Sequence, residues 1–224
     1  QIISKAIHKP KKPVVAIIGG AKIETKINVI SKLTEIADYV LIGGGLANTF
    51  LCAHGYEIGK SYCEYEKVAK ARQLLFLAAQ KHTAIVLPSD VVIGDPDNSE
   101  NGGSVVKVDQ IPKGAVALDI GSETKAKFGS IIAKANTIIW NGPVGYFENS
   151  AFRRGTDFIY YAIAENKEAV SIVGGGDTLA AVSKKEHLDR ITHISTGGGA
   201  MLEFIEKGTL PGIEALKETH VSPH

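Results

Sequence analysis

Seven short apolar runs, most of them closing on glycine, constrain this chain more than any other feature. They are VVAIIGG (Val14 to Gly20), YVLIGGG (Tyr39 to Gly45), TAIVLPSD (Thr83 to Asp90), VALDIG (Val116 to Gly121), TIIWNGP (Thr137 to Pro143), VSIVGGGD (Val170 to Asp177) and HISTGGG (His193 to Gly199). Valine and isoleucine fill both alternating faces of these runs, as in strands buried on both sides of a parallel sheet. Helix-like stretches follow most of them. The predicted fold class is therefore α/β: a three-layer, doubly wound, Rossmann-like arrangement. It has a mostly parallel six-stranded sheet, helices on both faces, and a small side β-sheet. Glycine at a strand end lets a ligand approach bare backbone, and the next helix turns its N–H groups and positive dipole end toward an anion. The pattern points to nucleotide binding.

The segments between the strands have helical period. Lys22 to Leu33 sets Ile23, Ile27, Ile30 and Leu33 on one stripe, and Glu64 to Lys81 does the same with Val68, Leu75 and Ala79. Ser122 is placed to N-cap a helix over Glu123 to Ala135. Further helices are expected over Phe152 to Asn166, Asp177 to His187 and Met201 to Lys207. The polar stretch GDPDNSENGG, Gly94 to Gly103, reads as an exposed loop, and SVVKVD after it as a strand of the side sheet. No internal linker divides the chain, so residues 14–224 are expected to form one domain. The opening QIISKAIHKPKKP reads as the end of a helix and a linker, which predicts a piece of something longer.

Composition removes several alternatives. The 25 basic and 24 acidic residues nearly cancel, and only Arg72, Arg153, Arg154 and Arg190 carry guanidinium groups. Nucleic-acid binders are normally clearly basic, so no nucleic-acid partner is expected. No apolar run approaches the roughly 20 residues that span a bilayer, so no membrane partner is expected either. Cys52 and Cys63 are too few for a disulfide scaffold or a cysteine zinc site, and free thiols suit a cytoplasmic location.

Three constellations could carry chemistry. In GGAKIETK, Gly19 to Lys26, the two lysines sit four apart, hence on one face of a helix start. Cations there oppose the helix dipole, a conflict that a bound anion removes; solvated surface lysines are the plainer alternative. In GGGDTLAAV, Gly174 to Val182, Asp177 is either an N-cap or a Mg²⁺-holding carboxylate. On the second reading Gly175, Gly176 and the Thr178 hydroxyl cradle phosphate; three successive glycines exceed what a cap needs. In WNGPVGYFE, Trp140 to Glu148, a rigid turn could back a ring or ribose, with Glu148 accepting from hydroxyls. GYEIGKS, Gly55 to Ser61, has three residues between its glycines where a P-loop has four, and it follows a helix. No glycine triplet extends to GxGxxG, which counts against a dinucleotide site. No histidine motif offers a general base.

Taken together, IGGAKIETKINVI, IGGGLANTFL, TAIVLPSDVV, LDIG, WNGPVGYFE, GGGDTLAAV and HISTGGGAMLEFIEKGTLPGIEAL resemble the phosphoglycerate kinase family in content and order, over essentially the whole chain. The resemblance is to the C-terminal, nucleotide-binding half, and implies that the half that carries 3-phosphoglycerate is not part of this chain. Residues 1–13 would then be the end of the interdomain helix and its linker. The resemblance implies Mg-dependent phosphoryl transfer between 1,3-bisphosphoglycerate and ADP, giving 3-phosphoglycerate and ATP in glycolysis. It also implies a cytoplasmic, monomeric full-length enzyme. ADP or ATP is the implied nucleotide and Mg²⁺ the implied metal, held by Asp177. Lys22, Lys26, Gly176 and Gly199 are the implied catalytic positions, with Lys26 following the transferring group. The implied nucleotide contacts also include Gly20, Ala21, Gly43, Gly44, Gly45, Ala117, Leu118, Asn141, Gly142, Pro143, Val144, Glu148, Gly174, Gly175 and Thr178. Ala117 and Leu118 line the adenine slot, Gly142 to Val144 back it, and Glu148 holds the ribose. Gly197 to Gly199 would open a helix facing the missing half. Thr25 departs from the aspartate of many relatives, which leaves the metal resting more on Asp177. A non-catalytic nucleotide-binding module of similar fold is the alternative.

Overall fold

The computed structural model describes residues 2–98, 102–182, 186–196 and 199–208. A six-stranded sheet forms from β1 (Val14–Ile18), β2 (Tyr39–Ile42), β3 (Ala84–Val86), β7 (Thr137–Asn141), β8 (Val170–Gly174) and β9 (His193–Ser195). Its order is β3-β2-β1-β7-β8-β9 and every pairing is parallel. A second, antiparallel sheet has β4 (Asp90–Gly94) between β5 (Ser104–Lys107) and β6 (Val116–Ile120).

The period of two along β1 builds both layers at once. Val14, Ala16 and Ile18 face a core completed by α2 (Ile27–Ile36), α3 (Gly44–His54), α4 (Val68–Gln80) and α8 (Ala200–Lys207). Val15 and Ile17 face the opposite core, filled by α5 (Ser122–Ile132), α6 (Arg154–Glu165) and α7 (Gly176–Val182) together with Trp140. All five β1 residues are fully buried, which only a strand covered on both faces permits. The short α1 (Ile2–His8) joins the first core through Ala6 and Ile7, and the His8 ring meets Phe204 of α8 edge-on at 6.0 Å. A third, smaller core, with Leu51, Ile58, Val91, Val108 and Ile111, lies under the side sheet.

Four expectations are corrected. The segment after β1 is a series of turns until α2 begins at Ile27, so Lys22 and Lys26 do not share a helical face. A residue far along the chain, Glu64, accepts the Ile23 N–H and so holds the segment out of the helix. Ser122 does not cap α5, which starts at Ser122 with Gly121 in the capping position. The buried Asp90 carboxylate serves instead, accepting from Glu123 N at 3.0 Å and Thr124 N at 2.8 Å. VALDI is a strand of the side sheet, antiparallel to β4. The helix expected to reach His187 does not include it: α7 is described as far as Val182, residues 183–185 lie outside the described residues, and His187 lies in the left-handed region at φ 68° ahead of a short 3-10 turn.

Candidate functional site

Strand order reverses between β1 and β7, since the chain runs outward to β2 from one and to β8 from the other. At such a point the loops leave in opposite directions and a crevice opens beyond the carboxyl ends of the strands. Here the turns following β1, β2 and β7 meet. Gly19 N donates to Asn141 O at 2.9 Å, Gly20 N to Pro143 O at 2.8 Å, Gly43 N to Ile18 O at 3.0 Å and Gly44 N to Val144 O at 2.9 Å. Glycine is needed for this approach. Gly142 has φ +95°, and a Cβ there would lie 2.3 Å from Gly19 O; a Cβ on Gly19 would lie 2.1 Å from Pro143 O.

These bonds change the reading of the glycines. The amides of Gly20, Gly43, Gly44 and Gly142 are already donating, the last to the buried Thr178 hydroxyl oxygen at 2.7 Å. Their part is to clamp the turns together, and what Gly20 and Gly44 offer the cleft is bare Cα surface. Further donors are offered by the first turn of α7, where N–H groups have no intrahelical acceptor. Gly176 and Asp177 start that turn and are exposed.

Lys26 is the strongest electrostatic feature. Its ammonium donates to Asn141 Oδ1, and Asn141 Nδ2 in turn donates to Gly174 O at 2.9 Å. Burial pulls the Lys26 pKa down to about 8, against the raising effect of the Asp177 charge. A half-buried cation beside the exposed Asp177 carboxylate, with the start of α7 next to both, is suited to an anion that carries a metal. Lys22 is exposed on the turn. Among the described residues no group of three or more His, Cys, Asp or Glu side chains could hold a metal by itself.

A cleft of about 240 Å³ lies beside this cluster. Gly20, Ala21, Gly44, Gly45, Ala117, Leu118, Pro143, Val144, Glu148 and Asp177 all line it. Its far wall is β6, fixed to the turn after β7 by Tyr146 N donating to Leu118 O at 2.7 Å. The wall is mostly apolar with Glu148 at the rim, as a flat ring with a hydroxylated neighbour requires. Lys22, Lys26, Gly43, Asn141, Gly142, Gly174, Gly175, Gly176 and Thr178 do not line the cleft but stand behind or beside it. Gly199 precedes α8 at the carboxyl edge of β9, exposed; Gly197 and Gly198 lie outside the described residues.

Eleven lining residues were not expected from the sequence, among them the polar Asn48, Tyr62 and Asp119. Asp119 is 5% exposed and accepts from Gly155 N at 2.7 Å and Ile120 N at 2.9 Å. Burial outweighs those bonds and raises its pKa to about 7. Its signal was present in VALDIG, an acid amid a buried apolar run, which the strand assignment absorbed. Tyr62 and Asn48 carried no such signal, since both reach the cleft only through tertiary folding.

The phosphoglycerate kinase family profile matches residues 1–208. The chain belongs to the phosphoglycerate kinase family. It is 47% identical over 218 residues to the phosphoglycerate kinase of Moorella thermoacetica, covering 97% of this chain and 55% of that protein. The relative from Desulfosudis oleivorans is 46% identical over 213 residues, covering 95% and 54%. A solved phosphoglycerate kinase from Coxiella burnetii superposes with a TM-score of 0.93 at 43% identity, covering 97% of this chain and 56% of that one. One from Pyrococcus horikoshii gives 0.83 at 33% identity, covering 98% and 55%. The chain thus spans about half the length of the phosphoglycerate kinases it matches. The six-stranded parallel sheet with helices on both faces and a small side sheet, as expected, is shared with these structures. Among the described residues no helix is long and apolar enough to cross a membrane.

Proposed function

We propose that this chain is the nucleotide-binding half of a phosphoglycerate kinase, corresponding to the C-terminal part of its relatives. It would bind Mg-ADP or Mg-ATP, with residues 1–13 leading from the interdomain helix and residues 14–224 forming the nucleotide domain. The reaction is Mg-dependent transfer of a phosphoryl group from 1,3-bisphosphoglycerate to ADP, giving 3-phosphoglycerate and ATP. The acylphosphate site would come from the half of the family's length that this chain does not span, so the chain alone is expected to turn over very slowly.

The observation that carries this reading is the Lys26–Asn141 pair standing beside Asp177, next to an apolar cleft at the strand-order switch. The adenine would lie against Ala117, Leu118 and Val144, with its ribose at Glu148. The polyphosphate would run past the Gly20 and Gly44 turns toward the first turn of α7. Asp177 fits Mg²⁺: it is an exposed carboxylate, and Mg²⁺ characteristically takes one or two protein carboxylates plus substrate phosphates. When bound, Mg²⁺ neutralises charge on the phosphates. Lys26, held by Asn141, stabilises negative charge on the transferring group, with Lys22 screening the approach. In the direction of 3-phosphoglycerate attack the nucleophile is a carboxylate, already ionised at neutral pH. No general base is then required, which agrees with the want of a histidine motif.

Calorimetric titration with Mg-ADP tests the binding reading, and NAD is the control. Mixing the chain with the complementary half of a relative and assaying ATP formation tests the activity. Lys26→Ala is expected to lower transfer far more than ADP affinity; equal losses would reduce Lys26 to a binding residue. Absence of heat with millimolar Mg-ADP on a folded sample would end the proposal.

A further inference from the structure

The sequence places Cys52 and Cys63 eleven positions apart, and the fold brings their sulfurs to 3.6 Å, with Cys63 Sγ donating to Cys52 Sγ. Both are free thiols and both are partly exposed. Cys52 sits near the end of α3, held by the buried neighbours Leu51 and Ala53. Cys63 lies in residues 61–64, which have no regular structure. A surface pocket of about 370 Å³, lined by Cys52, Tyr56 and Tyr65 among others, opens on Cys52, and Cys63 is itself partly exposed, so a small oxidant can reach the thiols. Burial, helped by the Cys63 sulfur, pushes the Cys52 thiol up to about 12, so at neutral pH Cys52 rests as a protonated thiol.

Both neighbours of Cys63 serve the cleft. Tyr62 lines it. Glu64 is buried, accepts the Ile23 N–H of the turn that carries Lys22 and Lys26, and donates its own N–H to Thr49 Oγ1 at 3.2 Å. Lys26 N donates to Ile23 O at 2.8 Å, so the path from Cys63 to the lysine turn is continuous. A disulfide requires sulfurs at about 2 Å, so closure would draw the pair together by roughly 1.5 Å. The helical anchor of Cys52 resists that movement, and the irregular 61–64 segment yields.

We propose that Cys52 and Cys63 form a redox-active dithiol that hydroperoxides close to a disulfide, and that closure weakens ligand binding in the adjoining cleft. Cys63, as thiolate, attacks the hydroperoxide: an S–O bond forms, the O–O bond breaks, and the departing oxygen leaves as water or alcohol after taking a proton. The second sulfur attacks this sulfenic acid: the S–S bond forms, the S–O bond breaks, and hydroxide leaves as water. Two thiols are oxidised by two electrons and one hydroperoxide is reduced. Thiol–disulfide exchange with a dithiol reductant reverses the change. The effect on nucleotide affinity rests on the function proposed above; the dithiol chemistry does not.

The test treats the chain with equimolar hydrogen peroxide, maps the products by peptide mass spectrometry, and measures Mg-ADP affinity before oxidation, after it and after dithiothreitol. The expected product is a single chain, lighter by two hydrogens, with the Cys52 and Cys63 peptides joined. Its Kd for Mg-ADP is expected to be weaker by at least about fivefold, the low end for coupled sites, and restored by dithiothreitol. Cys63→Ser, and separately Cys52→Ser in case the first misfolds, should keep the reduced affinity and ignore peroxide. Disulfides between chains, or sulfinic acid in place of a link, would overturn the dithiol. A link with unchanged Kd would overturn its coupling to the cleft. A link in a chain whose reduced form binds no ADP would support the dithiol and sink the nucleotide reading instead.

Discussion

Raising the pH from 7 to 9 should progressively disarm the site through Lys26. In the free protein its pKa is about 8, lowered by burial and partly restored by the Asp177 charge. A bound polyphosphate would favour the charged form and return the group toward its ordinary value of about 10.5. Lys26 is then about nine-tenths protonated at pH 7, half at pH 8 and about one-tenth at pH 9 before ligand arrives, and fully protonated after. ADP affinity should therefore fall about tenfold between pH 7 and 9, and binding should take up about half a proton at pH 8. Calorimetry in buffers of different ionisation enthalpy measures that uptake directly. Lys26→Arg keeps its charge and should flatten both dependences. The sign for folding is separate: a lowered lysine pKa costs stability below pH 8, and the cost disappears as pH rises through 8 toward 10.5. No proton uptake between pH 7.5 and 9, with ADP still binding, would refute the assignment of Lys26 to the phosphates.

Asp119 makes the opposite demand on folding: its carboxyl is raised to about 7, so the stability it contributes is complete below about pH 4 and is lost as pH rises through 7. Urea unfolding should show a loss of about 2–3 kcal/mol from this group between pH 5 and 8, and Asp119→Asn should remove that dependence. Thr178→Val keeps shape but leaves the buried Gly142 N–H without its acceptor, which should cost about 1–3 kcal/mol in urea unfolding, while Thr178→Ser should cost less. Asp90→Ala removes the acceptor for two α5 amides and the Thr124 hydroxyl, and a loss of at least about 2 kcal/mol is expected by the same measurement.

The large architecture was legible because it is written in local pattern. β1 carries apolar residues at every position and β7 at its three central ones, Ile138 to Trp140, a pattern typical of a parallel sheet covered on both faces. The glycine turns were legible for a related reason, since a strand, two or three glycines and a helix leave few alternatives. Contacts made at long sequence separation were not legible. Nothing near Ile23 announces that Glu64 will take its amide and delay α2 to Ile27, and nothing near Ser122 announces that Asp90 will cap in its place. The side sheet claimed VALDI because β4 offered it an antiparallel partner, a choice that hydrophobicity alone does not encode. The Thr178 hydroxyl, expected at phosphate, also accepts from Gly142 N, a contact that only the folded arrangement brings about.

The mutual bonding of the turns after β1, β2 and β7 has a consequence for motion. A floor whose loops are tied to one another has nowhere to relax when cargo arrives, so docking should reorganise mobile side chains and leave the main chain near its resting place. On the function proposed above, any large displacement would then have to come from bodies moving over this unyielding base, not from the base itself.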